Sequence, residues 1–542
     1  MTGGRKPYPV LWALCAATAV LLSIPWLLPH CGLVALVALV PLLLADYIAS
    51  GAGVKRFWIW HYSTFVLWNA ATTFWVCNAT VGGGLFAIFA NALQMSLIFG
   101  FFRLGKKRLT GVLPYILLAA AWISWERWYF TGAEISWPWL ALGNAFATSI
   151  KEVQWYSITG TLGGSLWVWC ANLGIFGLLI SLSGGRWQHW NAKARIAVCT
   201  ALCLVLIGPA VASAVMYNSY TERSEGSVDV LVGQPNLDPY KKFTKMTQKE
   251  QNELLLRLYS EAIAKGETDP DLLVAPETFT RELILSKLDS SRSILSFNAF
   301  LKDHPCTDFL FGAVTNDIYN QRSAPGLLCY PYGDGWRVSH NSALMLAPDG
   351  RTEVFHKSKL VVGTELTPYP KFFVPIDNWL SKMMGVSALM ARDVGQDEIS
   401  VLHLSDGTPL GCAVCYESVY GEYCTGYVKK GARFMAVITN DSWWGNTPGY
   451  KQHLSYSSLR AIELRRDLVR CGNSGISCFI DQRGEILQQG PWWEEAVLRG
   501  RVNTSSELSP FVRYGDIVGR VCVLAFLLLS GLLLVGLLLR RK

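Results

Sequence analysis

Apolar and polar positions along this chain follow two different regimes. Up to residue 217 the sequence is dominated by apolar runs, each long enough to cross the roughly 30 Å of a hydrocarbon layer, at 9–29, 32–49, 57–76, 82–102, 109–125, 165–183 and 196–217. One more run follows at 521–539. The run at 57–76 is the most polar, with His61, Ser63 and Asn69 inside it. Between 218 and 518 the pattern changes to short apolar strands alternating with polar stretches of helix length. It predicts strands over 228–233, 272–275, 309–314, 409–415 and 434–439, and helices over 247–265, 291–304, 422–430 and 452–467. Residues 342–346 and 352–356 pair around a Pro-Asp-Gly turn, and 477–481 and 485–489 close as a hairpin. Such alternation predicts an α/β domain whose sheets are covered by helices. The expected organisation is seven transmembrane helices in 1–217, an α/β domain in 218–518, and an eighth transmembrane helix with a basic tail in 519–542.

Composition agrees with two unlike parts: 51% hydrophobic and 16% charged residues describe neither a soluble enzyme nor a pure transporter. Lysines and arginines fall in alternate connections: Arg5 and Lys6; Lys55 and Arg56; Arg103, Lys106, Lys107 and Arg108; Arg186, Lys193 and Arg195; and Arg540, Arg541 and Lys542. The opposite connections carry only Arg127 and Lys151. By the positive-inside rule both termini are cytoplasmic and the 218–518 domain lies outside the cytoplasm. This topology accounts for most of the net charge of +8, which is therefore no nucleic-acid footprint. The first run is expected to be a retained anchor, since no small-residue cleavage site follows it and further spans come directly after. Leu11 to Cys15 faintly suggests a lipid-attachment box, which the bulky Leu14 argues against.

Seven of the fourteen cysteines lie in or beside the apolar runs and are expected as packing residues. The other seven lie in the outer domain, where an odd number fits one free reactive thiol and up to three bridges, with Cys306 and Cys329 as a candidate pair. Cys412 and Cys415 form a C-x-x-C without a thioredoxin-like setting, and no His/Cys cluster has metal-ligand spacing.

The candidate chemistry centres on Cys415, in Leu-Gly-Cys-Ala-Val-Cys-Tyr-Glu (410–417). A thiol attacks an acyl carbon only as thiolate, and an ordinary cysteine, with a pKa of about 8.5, needs a base beside it at neutral pH. Glu277, after Pro276 at an expected strand end, is the candidate base. Attack places negative charge on the carbonyl oxygen, for which a buried ammonium is a suitable stabiliser; Lys357, in Phe-His-Lys-Ser-Lys-Leu (355–360), is the candidate. Taken singly, each has a mundane reading: a solvated lysine in a hairpin, a carboxylate after proline, a core cysteine.

Glu277, Lys357 and Cys415, in that order, resemble the Glu-Lys-Cys set of the nitrilase (carbon-nitrogen hydrolase) superfamily. The seven preceding spans, the following span and the outer domain resemble one branch, the apolipoprotein N-acyltransferase family. Further matching segments are Trp137 to Gly143, Gly233 to Asn236, Leu360 to Glu365, Asn440 to Gly445 and Arg460 to Glu463. The resemblance implies an α-β-β-α sandwich fold for 218–518. It also implies a two-step transfer through a Cys415 thioester, from a phospholipid donor to the N-terminal amine of a diacylglyceryl-modified exported lipoprotein, in a bacterial inner membrane. Glu365 then matches a second glutamate that orients Lys357 or Glu277, and Tyr416 and Glu417 match positions that shape the nucleophile turn and acyl pocket. Phe243 stands where the family has a loop tryptophan; Trp443 and Trp444 are candidates for a lid at the membrane interface. No organic cofactor or metal is required.

The chain departs from the family pattern at Ala275, Lys359 and Val362 to Thr364. Two further readings stand beside the transferase: a membrane-tethered amidase acting on a small amide, which leaves the seven spans unexplained, and a non-catalytic receptor or scaffold, which leaves the intact Glu-Lys-Cys set unexplained. A transporter is disfavoured by the scarcity of paired charges within the spans.

Overall fold

The structure of the protein, a computed structural model, describes residues 7–539 apart from 243, 267 and 387. Phe243, one of the expected site residues, lies outside the described residues. Every apolar run contains a helix: Tyr8–Leu27, Val40–Gly51, Trp58–Thr73, Val81–Lys106, Leu113–Thr131, Thr161–Ser183, Ala192–Ser219 and Ile517–Leu539. Six segments are long and apolar enough to cross a membrane: Tyr8–Leu27, Gly32–Gly51, Val81–Lys106, Thr161–Ser183, Ala192–Ser219 and Ile517–Gly536. Trp58–Thr73 and Leu113–Thr131 fall short of that measure yet pack among the others. The polarity of Trp58–Thr73 is turned inward, where each group finds a partner. His61 Nδ1 pairs with Ser96 Oγ at 2.8 Å, Asn69 Oδ1 accepts from Asn91 Nδ2 at 2.8 Å, and Thr64, Thr72 and Thr73 bond carbonyls four residues back.

The outer domain stacks two sheets. The first runs in the order Ala496–Thr504, Gly226–Gln234, Leu272–Val274, Asp308–Tyr319, Gly335–Leu346, Tyr330–Tyr332, with Thr280–Ile284 beside Asp308–Tyr319 and Thr352–His356 beside Gly335–Leu346. The second runs Ile486–Gln489, Cys478–Ile480, Leu468–Gly472, Phe434–Thr439, Pro409–Val414, Leu402–His403. The period-two alternation of strands sorts their side chains. Val228, Val230 and Val232 enter the core between the sheets, with Leu410, Val414 and Val437 facing them, whereas Leu231 joins Phe309 and Leu344 on the other face. That other face is covered by helices Gln248–Ile263 and Arg292–Lys302. Helices Gly421–Lys429 and Pro448–Leu464 cover the second sheet, and the far side of the latter, through Tyr456, Leu459 and Ile462, belongs to the core of the helical half. The architecture is therefore an α-β-β-α sandwich with one helical layer seated on the apolar helices.

The expected strand over 409–415 stops at Val414 because Cys415 turns into a short 3-10 helix, Cys415–Val419. The helix expected over 452–467 starts earlier and ends at Leu464, where Arg465 takes a left-handed φ of 51°. Helix Pro370–Met384 and strand Ala496–Thr504 are additional to the sequence expectation. The expected bridges are corrected: all the cysteines are free thiols, including Cys306, which is exposed, and Cys329, which is buried and donates to Gly326 O. Cys412, Cys424, Cys471 and Cys478 are buried as small apolar packing residues, so the odd thiol count implies no pairing.

Candidate active site

Three turns, each following the C-terminal end of a strand, carry the expected catalytic groups. Glu277 follows Leu272–Val274, Lys357 follows Thr352–His356, and Cys415 follows Pro409–Val414. The Glu277 turn is pressed against strand Asp308–Tyr319: Gly312 N donates to Pro276 O at 3.1 Å and Phe279 N to Gly312 O at 2.8 Å. A Cβ at Gly312 would stand 2.5 Å from Glu277 Cα, so this close approach requires glycine. Thr278 takes a φ of 48°, which turns the chain directly after the carboxylate. Lys242, fully buried, donates from Nζ to Thr278 O at 2.5 Å, and burial pushes its ammonium down to about 7.

Lys357 is 1% exposed, and its ammonium lies between two carboxylates: Nζ donates to Glu277 Oε1 at 3.1 Å and to Glu365 Oε1 at 2.9 Å. Burial alone would lower its pKa, but the charges of Glu277 and Glu365 outweigh that and hold it well above the ordinary lysine value. Asn341 ties the same pair together from the adjacent strand, donating from Nδ2 to Glu277 Oε1 at 2.8 Å and to Glu365 Oε1 at 2.7 Å, while its carbonyl accepts from Lys357 N at 2.8 Å. Glu365 is fixed by its own loop through Val361 N to Oε2 at 2.7 Å. Asp393, whose N–H donates to Glu365 O at 2.9 Å, has a carboxyl pushed up to about 7 by burial and by the charge of Glu365.

Cys415 has a φ of 50°, a left-handed conformation that costs a side-chain-bearing residue about 1–2 kcal/mol. Glu417 holds that turn and docks it on the Lys357 loop. Its buried carboxylate accepts from Val414 N at 2.8 Å, Ser358 N at 2.7 Å, Lys359 N at 3.2 Å, Tyr423 OH at 2.9 Å and Tyr427 OH at 3.2 Å. Burial pushes the Cys415 thiol well above the usual range; Glu277 adds to that, and Lys357 opposes it. In this state sulfur is a protonated, weak nucleophile, so attack requires transfer of its proton to a base.

The remaining expected residues join the two halves of the molecule. Tyr416 OH donates to Ser136 O at 3.1 Å and its ring stacks with Trp137 at 6.2 Å. Trp444 packs on Trp75 at 4.6 Å and Trp139 at 5.7 Å, and Asn78 donates to its carbonyl at 2.9 Å. Trp443 is half-buried in the same short turn, Asp441–Trp444. Arg460 and Glu463 are buried and structural: they pair at 2.9 Å, and Glu463 accepts from Thr161 N at 2.8 Å and Thr161 Oγ1 at 2.6 Å at the start of an apolar helix.

The sequence reading missed Asn341, Lys242 and Asp393, and also a buried set formed by Asp441, His453 and Arg470. Asn341 left one signal, an amide at the head of the polar run that interrupts strand Gly335–Leu346. Cys415, Asp441 and His453 gather ligand-type atoms within 4.8 Å of one another, a cluster that their sequence spacing concealed. A guanidinium already supplies the positive charge there, with Arg470 Nη2 2.6 Å from Asp441 Oδ2.

Comparison with known proteins assigns residues 232–507 to the family described as carbon-nitrogen hydrolase and residues 18–174 to the apolipoprotein N-acyltransferase N-terminal domain. The apolipoprotein N-acyltransferase of Chlorobaculum tepidum is 29% identical over 511 residues, covering 92% of this chain and 91% of its own length. That of Geobacter metallireducens is 27% identical over 541 residues, covering 94% and 93%. Among solved structures, Saccharomyces cerevisiae Nit3, of branch 10 of the nitrilase superfamily, is 14% identical with a TM-score of 0.37, covering 53% of this chain and 93% of its own.

Proposed function

Because the chain belongs to the carbon-nitrogen hydrolase family and carries the N-terminal domain of apolipoprotein N-acyltransferases, we propose that it N-acylates bacterial lipoproteins through a thioester on Cys415. The observation that carries the mechanism is the buried Lys357 ammonium held between Glu277 and Glu365 beside the Cys415 turn.

In the first half-reaction Glu277 takes the thiol proton as sulfur attacks the carbonyl carbon of a phospholipid acyl ester. The oxyanion forms against Lys357, which the two carboxylates keep charged. Collapse breaks the ester bond, and the departing glycerol oxygen takes the proton from Glu277, leaving an acyl-thioester and a lysophospholipid. In the second half-reaction the amine of a diacylglyceryl-cysteine attacks the thioester. Glu277 receives the amine proton and returns it to sulfur as the C–S bond breaks, giving an amide and free Cys415. Glu365 and Asn341 orient Lys357 and Glu277; Tyr416 and Glu417 maintain the nucleophile turn; Phe243, Trp443 and Trp444 border the lipid.

The same reading takes 1–217 as seven membrane crossings and 519–542 as an eighth with the tail, both termini in the cytoplasm, and 218–518 on the outer face of the inner membrane. It is supported by the lysines and arginines of alternate connections and by the aromatic contacts that seat the Cys415 turn on the helical half. Enclosure between domain and membrane keeps water from the thioester, which favours transfer over hydrolysis.

The test is the intact mass of detergent-purified protein after incubation with phosphatidylethanolamine, for the native chain and for Cys415→Ala. A hydroxylamine-labile adduct of one acyl chain, absent from the variant and released by a diacylglyceryl-cysteine peptide, is expected. No adduct on folded protein, or ammonia release from small amides instead, would reject the assignment.

A further inference from the structure

Cys415 is also contacted through its main chain by a polar set with no part in the proton and oxyanion chemistry above. Ser418 Oγ donates to Cys415 O at 2.7 Å, and His453 Nε2 stands 3.1 Å from the same oxygen and 3.0 Å from Ser418 Oγ. The carbonyl can only accept, and the serine hydrogen is already directed at it, so Nε2 carries a hydrogen and donates to these two oxygens. On the opposite edge of the ring, Nδ1 lies 2.8 Å from Asp441 Oδ1 and 3.0 Å from Arg470 Nη2. Asp441 is held in turn by Arg470 at 2.6 Å and by Thr439 Oγ1 at 2.7 Å. His453, Asp441 and Arg470 are 0%, 1% and 0% exposed. Ionised groups this deep carry a desolvation penalty of several kcal/mol each unless they are paired, yet this set converges on one backbone oxygen. That oxygen belongs to the residue with a φ of 50°, a state that persists only where the surroundings impose it.

We propose that His453, held by Asp441 and Arg470, is a positioning residue for the nucleophile. With Ser418 it fixes the Cys415 carbonyl and so maintains the left-handed turn that aims the sulfur. The inference rests on Cys415 being the nucleophile, as proposed above. His453 touches no substrate atom in this scheme, so its loss slows the approach of sulfur to the acyl carbon and leaves lipid binding alone.

The experiment compares H453L, H453Q and S418A with the native chain and with Cys415→Ala. It measures the single-turnover rate of thioester formation and the half-saturating phosphatidylethanolamine concentration on monodisperse protein in detergent. A displaced nucleophile predicts a rate about 100-fold lower in H453L, with S418A and H453Q, each of which keeps a donor to the carbonyl, losing about tenfold or less. Half-saturation is expected to be unchanged throughout, a split that general loosening of the fold would not produce. Native-like rates in H453L and S418A would overturn the inference, as would rate and half-saturation moving together. If H453L fails to fold, S418A decides: a slower rate at constant half-saturation supports the inference and a native rate overturns it. A native chain that forms no Cys415-dependent thioester refutes the underlying assignment and this inference with it; normal acylation in all the His453 and Ser418 variants refutes this inference alone.

Discussion

Lys357→Met removes the ammonium and keeps the length of the side chain, so its effect can be worked from the geometry. Nζ lies 3.1 Å from Glu277 Oε1 and 2.9 Å from Glu365 Oε1. At an effective dielectric constant of about 20, each contact is worth about 5 kcal/mol before desolvation. Desolvation takes back several kcal/mol per ion, so the intact cluster contributes little net stability, whereas removing its centre leaves two buried carboxylates sharing only Asn341, at about 3–5 kcal/mol. Loss of the oxyanion partner should slow thioester formation by about 100- to 1,000-fold. The two effects separate in the double variant Lys357→Met/Glu365→Gln, which removes one uncompensated charge: stability should partly return and rate should not. The native ammonium has a folded pKa above its unfolded value of about 10.4, so its stabilising contribution is complete below that pH and fades only as pH rises through the folded value. Native thermal stability between about pH 6 and 9 should therefore show no Lys357 titration. Thermal unfolding in detergent and intact-mass single turnovers read both quantities. A Lys357→Met protein that acylates within about tenfold of the native rate, or a double variant that regains rate together with stability, would refute the reasoning.

Gly312→Ala would push a Cβ to 2.5 Å from Glu277 Cα and 2.6 Å from Thr278 N, backbone atoms that no rotamer change can move. The peptide carrying Glu277 must shift, with an expected loss of about 1–3 kcal/mol in unfolding experiments and a roughly 10- to 100-fold slower thioester step; native values in both would show that the turn has slack. Cys415 and Cys306 should differ in alkylation, because burial raises the Cys415 thiol pKa whereas Cys306 is exposed. A raised pKa means a small thiolate fraction that is still growing above about pH 8.5, so peptide mass mapping with iodoacetamide should find Cys306 labelled first at neutral pH and Cys415 labelling climbing with alkalinity. Preferential labelling of Cys415 near neutrality, with a plateau, would mean a thiolate already formed in the resting state.

Strands such as Phe434–Thr439 and the pair Ser342–Leu346 with Thr352–His356 were legible because alternating apolar residues between turn-formers leave few other ways to bury them. Glu277, Lys357 and Cys415 were legible only as a set in order, since each alone resembles an ordinary residue. Strand Ala496–Thr504 was not, because Arg499, Gly500 and Arg501 break its apolar pattern: Gly500 lies against the Phe479 ring and Arg499 pairs with Asp229 at 2.7 Å, partners that only the folded sheet brings near. The bridge assigned to Cys306 and Cys329 failed for the opposite reason, since counting thiols says nothing about where apolar packing uses them.

Helix Pro448–Leu464 shows where the argument from sequence stops and what the missing part does. Its polar residues, Gln452, His453, Ser457, Arg460 and Glu463, suggest a face in water, yet all are buried, because one side meets the second sheet and the other meets the apolar helices. Gln452 donates to Trp26 O at 3.1 Å and to Thr72 O at 3.2 Å, and accepts from Trp139 Nε1 at 2.7 Å. Glu463 holds the start of Thr161–Ser183. One turn away, His453 lies against Trp139 and Trp444 on one side and the Cys415 carbonyl on the other. Tyr416, next to the nucleophile, and Tyr420 both reach Ser136 in the connection after Leu113–Thr131. The nucleophile turn is thus braced by the helical half as well as by its own sheet. An amidase merely tethered to a membrane would need no such bracing, whereas an enzyme whose donor and acceptor are both lipids must hold its sulfur in register with the surface that presents them.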